Sequence, residues 1–247
     1  ERTNRGRRKD IGMTTPDTSA LPDEADAAAT PDTAPLVPQR ARHLGDIGRL
    51  VDCRLNGENG LQNRYLRNEA RARGHMAALR GATTKEPGEI PEIWELTQVK
   101  VPDHVGDAPT REEVAVHTAM TLYAVHQQSR TTRMFRPGRG LGHAARELVG
   151  WEEDNDSARK RFNALVTSTT ITELRHHLRN FISLLRARDI TLDHAMLADD
   201  IVRFQRPGGA KKVRLTWARQ YHFLSTTSDT KTTPRADCTT TAPESEN

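Results

Sequence analysis

Helical periodicity dominates the hydrophobic pattern of this chain, and it is clearest between Thr170 and Arg188. Thr170 followed three residues later by Glu173 predicts a capping box, in which the hydroxyl and the carboxylate bond free N–H groups at the helix start. Apolar residues then recur within a stripe about 100° wide, at Leu174, Leu178, Phe181, Ile182 and Leu185. Beside the stripe, within about 40° of one another, fall Arg175, Arg179 and Arg186. This stretch predicts a helix with a buried face and a cationic edge, although such an edge is also typical of an ordinary solvated face.

The same periodicity predicts further helices over 39–55, 61–80, 110–128, 157–166 and 193–204, and a last one after the turn at 207–209. Capping residues support several of these, with Thr110 and Asp193 at helix starts and Gly81 at a helix end. The four prolines of 82–109 predict an irregular connection, in which we expect Trp94 to plug the core as a lid. The predicted fold is all-α, with two small helical bundles joined by irregular loops, an N-terminal domain at 39–150 and a basic C-terminal domain at 151–225.

The ends of the chain differ in composition from its middle. Residues 1–38 and 226–247 are rich in Pro, Ala, Thr, Ser and Asp without sustained periodicity, so we expect disordered N- and C-terminal tails. We also expect Met13 to be the natural start. No apolar run approaches the roughly 20 residues of a membrane span, so we expect a cytoplasmic protein without membrane partners. Cys53 and Cys238 show no metal-site spacing and receive no role.

Positive charge is concentrated in the C-terminal third. The whole chain has a formal net charge of +4. Residues 39–158 balance at 17 basic against 17 acidic side chains, whereas 159–225 hold 13 against 5. A local cationic surface of this kind favours a polyanionic partner, because neutralised phosphates release counterions.

A second cationic segment lies between two predicted helices. This segment is rich in arginine and then in glycine, with Arg130, Arg133, Arg136, Gly138, Arg139, Gly140 and Gly142. Glycines let the backbone approach a ligand, and N–H groups at a helix start favour an anion. The spacing is not a dinucleotide fingerprint, because it follows an arginine-rich loop and His143 stands where a third glycine would fall. We expect a flexible cationic loop, and its contact with phosphate and a merely soluble role both stay open.

Catalytic patterns are missing from the sequence. Acidic residues cluster in loops and tails, and Ser and Thr lie in caps and tails, so no nucleophile with a base and no carboxylate pair emerges. His117 and His126 are nine residues apart without a third ligand at matching spacing, which disfavours a metal site. We predict no enzyme activity, no cofactor and no metal.

The order of several short motifs resembles the CasB family, the small subunit of the type I-E CRISPR surveillance complex Cascade. The motifs are LRGA at 79–82, PEIWEL at 91–96, HTAMTLYAVHQQSR at 117–130, GLGHA at 140–144, RFNALVTS at 161–168, HHLR at 176–179 and VRLTWARQY at 213–221. The resemblance covers roughly residues 40–224. It implies an all-α, non-catalytic protein that pairs as a dimer inside Cascade, beside the subunits that hold the guide RNA.

The resemblance also implies contacts with target DNA and the displaced strand in antiviral defence. By matching motif, the contact residues would be Arg80, Arg130, Arg161, Arg179 and the pair Lys211 and Lys212. Residue-level reasoning adds Arg136 and Arg139 of the arginine-rich segment and Arg175 of the cationic edge. The alternative from another class is a helical scaffold whose basic face docks on an acidic protein.

Overall fold

The computed structural model describes residues 42–100, 106–150 and 156–223, and within them the fold is all-α, as predicted. The helices are α1 (Asp46–Leu55), α2 (Leu61–Leu66), α3 (Ala70–Gly81), α4 (Trp94–Thr97), α5 (Arg111–Gln127), α6 (Leu141–Val149), α7 (Asp156–Thr167), α8 (Ile171–Ala187), α9 (His194–Phe204) and α10 (Gly209–Phe223). Two short 3-10 helices lie at Ala82–Thr84 and Pro91–Ile93. The predicted tails, the Met13 start and Cys238 lie outside the described residues. No described helix is long and apolar enough to cross a membrane.

Helix α5 is the central helix of the fold. All residues from Val114 to Ala124 are buried without interruption. Helices α1, α3, α8 and α9 all pack against it. A helix that is covered all round has no amphipathic pattern, and this explains why its apolar residues are spread over the whole wheel.

Two hydrophobic clusters make up the core. One gathers α6 to α10 around Phe181 and Trp217, and the other gathers α1, α3 and most of α5 around Met120. Helix α9 contributes to both, with Leu197 in the first cluster and Ala198 in the second. The proposed domain boundary near residue 150 stays a prediction.

Side-chain caps begin three helices where the sequence predicted them. Thr110 and Glu113 form a complete capping box on α5. Asp193 accepts hydrogen bonds from two backbone N–H groups at the start of α9. The Thr170 hydroxyl accepts from the N–H of Glu173, whose carboxylate bonds the N–H of Thr169 rather than that of Thr170. All five apolar residues of the α8 stripe are buried, which confirms the predicted helix.

Three local predictions were wrong. The predicted second helix breaks between α2 and α3, where Asn68 adopts φ 63° and Arg64 and Arg67 both bond Glu69. Helix α3 ends at Gly81, but Gly81 does not act as a left-handed cap, because its φ is −62° and the chain continues into a 3-10 turn. Trp94 is 52% exposed, since the neighbouring Ile93 fills the core position expected for it.

Candidate nucleic-acid interface

The cationic edge of α8 is the clearest functional feature of the described residues. Arg179 is exposed, and no described residue pairs with its guanidinium. Arg175 donates from Nη1 to the Glu86 carboxylate and from Nη2 to the carbonyl of Lys85, each at 2.7 Å. Arg186 donates to the Gln128 side chain at 2.7 Å. The edge runs eleven residues from Arg175 to Arg186, or about 16 Å at 1.5 Å per residue.

One further predicted arginine lies at the Arg186 end of this edge. Arg130 pairs with Asp189 at 3.2 Å and donates to the carbonyl of Arg186. The structure therefore brings three of the nine predicted contact residues to this edge, namely Arg130, Arg175 and Arg179. We call Arg130, Arg175, Arg179 and Arg186 the α8 arginine edge. Arg80 is half-buried in the last turn of α3.

Arg161 is exposed on the adjacent helix α7. The next residue, Phe162, fixes the packing of this helix, because its ring lies 5.7 Å from Phe181 of α8 and 5.4 Å from Tyr221 of α10, with the second pair stacked. Arg161 and Arg179 thus lie on two helices that pack against each other.

Lys211 and Lys212 are both exposed in the first turn of α10. Successive residues of a helix differ by about 100°, so the two ammonium groups leave the helix in different directions. Arg214, which follows them on the same helix, donates to the carbonyl of Ser168 at the end of α7 and is occupied there. The two lysines therefore present their charges to different parts of the surface around α10.

Two glutamine side chains order the arginine-rich loop. Gln62 exchanges two hydrogen bonds with the backbone of Phe135, at 2.9 and 3.2 Å. Gln127 accepts from the N–H of Met134 at 3.0 Å and donates to the carbonyl of Thr132 at 2.7 Å. Phe135 also forms an isolated bridge with Leu192. The expectation of a flexible loop was wrong, because these bonds hold it on both sides.

The two remaining predicted contact residues lie in this loop and differ in exposure and pairing. Arg136 is exposed and available to a ligand. Arg139 is half-buried and pairs with Glu147 of α6. Burial and the neighbouring charge of Arg136 lower the pKa of the Arg139 guanidinium. Of these two residues, Arg136 is a ready cation and Arg139 is already neutralised.

The glycines after the loop serve packing rather than anion binding. A Cβ on Gly142 would lie 2.1 Å from the carbonyl oxygen of Trp217, and one on Gly140 would lie 2.5 Å from the Gln220 side chain. The Gln220 side chain also accepts from the N–H of Gly142 at 3.0 Å. The start of α6 is therefore covered by α10, which overturns the anion-binding interpretation of these glycines.

Most acidic side chains of the C-terminal third accept hydrogen bonds or form ion pairs within the fold. Asp193 pairs with Arg42 at 2.7 Å and also accepts from the N–H of Gly138. Asp199 accepts from two N–H groups at the start of α1. Asp200 accepts from the Trp217 indole at 2.7 Å. The positive excess of residues 159–225 is therefore carried by exposed arginines and lysines with few surface acids to offset it.

Buried histidines add no positive charge to this surface at neutral pH. Burial, with a smaller effect from Arg175, lowers the pKa of His117 to about 4. Burial lowers the pKa of His126 to about 3. His126 bonds His194 at 3.3 Å and the carbonyl of Ile190 at 2.9 Å. No three His, Cys, Asp or Glu residues of the described part are grouped closely enough to hold a metal ion.

Arg186 was predicted on the cationic edge of α8 but not among the nine contact residues. Its position on the same helical edge as Arg175 and Arg179 was the available signal. The loop contacts of Gln62 and of the Asp193 carboxylate were missed, because their partners lie 73 and 55 residues away in the sequence. The contacts of Gln127 with Thr132 and Met134 are local, but they leave no recognisable sequence pattern.

Fold and surface together define an all-α protein with an arginine-lined face within the described residues. The sequence profile of the CRISPR-associated protein Cse2 family matches residues 75–222. The chain belongs to this family.

Solved structures of the family show the same fold. CasB from Thermobifida fusca is 34% identical with a TM-score of 0.61, and the match covers 73% of this chain and 99% of that one. A Cse2-family protein from Thermus thermophilus is 23% identical with a TM-score of 0.51, and the match covers 72% of this chain and 98% of that one. No curated protein sequence matches the chain.

Proposed function

We propose that this protein is the non-catalytic small subunit of a type I-E CRISPR Cascade complex, and that it binds nucleic-acid backbone without reading sequence. The observation that carries the proposal is the α8 arginine edge on a member of the Cse2 family. Target DNA and the displaced strand are its proposed ligands, in support of antiviral defence. Its proposed protein partners are the other Cascade subunits with their guide RNA and a second copy of itself.

The chemistry of the candidate contacts favours phosphates over bases. All nine are arginines or lysines, and long cationic side chains of this kind bind phosphate oxygens that carry no sequence information. Helices α8 and α10 each bury one face through residues such as Phe181 and Trp217, so they are fixed in the bundle. A surface of this type supports binding to any sequence with similar strength.

The number of contacts limits the affinity of the isolated subunit. Non-specific binding through a few phosphates gives a Kd of about 10⁻⁴–10⁻⁶ M at physiological salt. Retention of DNA therefore depends on assembly with the other subunits, where several weak surfaces act on one strand.

Substitution of the two exposed arginines tests the proposal. The double variant Arg161→Gln and Arg179→Gln, assembled into the complex, should weaken retention of unrelated DNA sequences to the same extent. Each lost phosphate contact should make the slope of log K against log salt shallower by about 0.7–0.9. Arg73→Gln, an exposed arginine of α3 outside the candidate set, is the matched control. Unchanged retention and slope in the double variant would refute the proposal.

One observation favours the alternative of docking on an acidic protein. Leu215 of α10 is 50% exposed, and Lys211 and Lys212 lie one turn before it. A mixed apolar and cationic face suits a protein surface better than a bare phosphate chain. Under this alternative the partner stays bound after nuclease treatment, and Leu215→Ser weakens its capture.

A further inference from the structure

Arg175 is already occupied, although it lies on the same edge as the free Arg179. Its guanidinium contacts the Glu86 carboxylate and the Lys85 carbonyl, each at 2.7 Å. The side chain of Arg175 is only 14% exposed, whereas that of Glu86 is 57% exposed. Glu86 therefore lies on the solvent side of the ion pair, between Arg175 and any ligand that approaches from solution.

A short turn holds Glu86 in this position. The N–H of Glu86 donates to the Glu89 carboxylate at 2.8 Å. Gly88 takes φ 90° between them, and its carbonyl accepts from the Trp94 indole at 3.1 Å. These contacts use the backbone of the turn, so they survive a change in the Glu86 side chain.

Carboxylate and phosphate bind the guanidinium group in the same way. Both accept two parallel N–H bonds from its planar fork, so Glu86 and a phosphate compete for the Arg175 donors that face solution. An exposed ion pair of this kind is weak, because water solvates both charges once they separate. A phosphate can therefore displace Glu86 from Arg175, but it binds with a lower affinity than it would have for an unpaired Arg175.

We propose that Glu86 is a built-in competitor of nucleic acid for Arg175, so that the α8 arginine edge holds a ready contact at Arg179 and a withheld contact at Arg175. This inference rests on the proposed backbone binding. Under this proposal Glu86 lowers the affinity of the protein for nucleic acid. Arg175 contributes to binding only when it has released the Glu86 carboxylate.

A double-mutant cycle tests the competition. The full-length chain is titrated against a fluorescein-labelled duplex of about 20 base pairs between about 50 and 200 mM NaCl, as wild type, Glu86→Gln, Arg175→Gln and the double variant. Glu86→Gln should bind about two- to fivefold tighter, the range that corresponds to loss of an exposed ion pair. Its salt slope should steepen by about 0.9, which corresponds to one more phosphate contact.

The other arms separate competition from a general change in charge. Arg175→Gln should alter binding by less than about twofold in the wild-type background and should abolish the gain in the Glu86→Gln background. Glu92→Gln is the matched control, because it removes an equal charge from the same segment and Glu92 makes no ion pair with a described residue. It should leave the salt slope unchanged.

The outcomes distinguish this inference from the proposed function. Equal gains from Glu86→Gln and Glu92→Gln would overturn the competition, and so would a loss from Arg175→Gln in the wild-type background as large as that from Arg179→Gln. In both cases a loss from Arg179→Gln leaves backbone binding standing. No binding by any variant at the lowest salt concentration would refute the backbone binding and the competition together.

Discussion

Lowering the pH from about 8 to about 5 should destabilise the fold, because buried histidines must stay uncharged. Burial and Arg175 lower the pKa of His117 to about 4, and burial lowers that of His126 to about 3. Burial and the neighbouring His126 lower the pKa of His194 as well. In the unfolded chain these groups return to their ordinary pKa of 6.5. Their contribution to stability is therefore complete above pH 6.5 and is lost as the pH falls towards the folded pKa values.

The magnitude follows from proton binding by the unfolded state. Between about pH 8 and about pH 5 a histidine with a folded pKa well below 5 loses about 2 kcal/mol of stability, and the result hardly depends on the folded pKa. His117 and His126 together therefore account for about 4 kcal/mol. Asp200 acts in the opposite direction, because burial raises its pKa to about 6, against the Trp217 hydrogen bond and the Arg203 charge. Protonation of Asp200 in the folded state stabilises the fold by about 1 kcal/mol. The net loss in the free energy of unfolding is therefore about 3 kcal/mol, without the contribution of His194.

Urea unfolding followed by circular dichroism at about pH 8 and about pH 5 measures this difference. The lower pH of about 5 keeps the titration of three glutamates out of the comparison, namely Glu69, Glu89 and Glu173. Hydrogen bonds lower the pKa of each below the ordinary value of 4.5, so their contributions to stability are lost only at more acidic pH. His117→Leu should reduce this loss of stability by about 2 kcal/mol, because the unfolded variant has one histidine fewer that can bind a proton.

The matched control is His222→Gln, since the His222 side chain is exposed on α10. It should keep the full pH dependence of the wild type. Equal stability of the wild type at the two pH values would refute the reasoning, and so would an undiminished loss in His117→Leu.

Further predictions concern packing, and thermal or urea unfolding at neutral pH measures them all. Gly142→Ala should cost about 1–3 kcal/mol, because its Cβ would lie 2.1 Å from the carbonyl of Trp217. Gly74→Ala on the open face of α3, where nothing lies within 4 Å, should instead stabilise the fold by up to about 1 kcal/mol. Asp199→Ala should cost about 1–2 kcal/mol, since its carboxylate caps the start of α1 from α9. A neutral Gly142→Ala or a destabilising Gly74→Ala would contradict the packing, and an unchanged Asp199→Ala would contradict the cap.

Local chemistry explains the part of the fold that the sequence predicted. Thr110, Thr170 and Asp193 start their helices with side-chain bonds to residues two or three positions on, so their effect is visible in a short window. The α8 stripe was predicted for the same reason, because one buried face leaves a regular pattern. Helix α5 shows the limit, since a helix buried on all sides leaves no such pattern.

Long-range contacts explain the errors. The arginine-rich loop was expected to be flexible, but Gln62 orders it from 73 residues away. Gly142 was expected to admit an anion, but α10 occupies that space. The pairing of Arg175 with Glu86 spans 89 residues. No single window of sequence contains both partners of such contacts, so the cationic residues could be predicted while their availability could not.

Purification of the native protein from its host, with and without nuclease, tests the central claim most directly. Partners are identified by mass spectrometry, and any RNA that co-purifies is sequenced. A Cascade subunit that binds nucleic-acid backbone should be recovered with the other Cascade proteins and a uniform short guide RNA, and it should retain target DNA that nuclease removes. Recovery of the protein alone, or with an acidic protein and no RNA, would contradict the account.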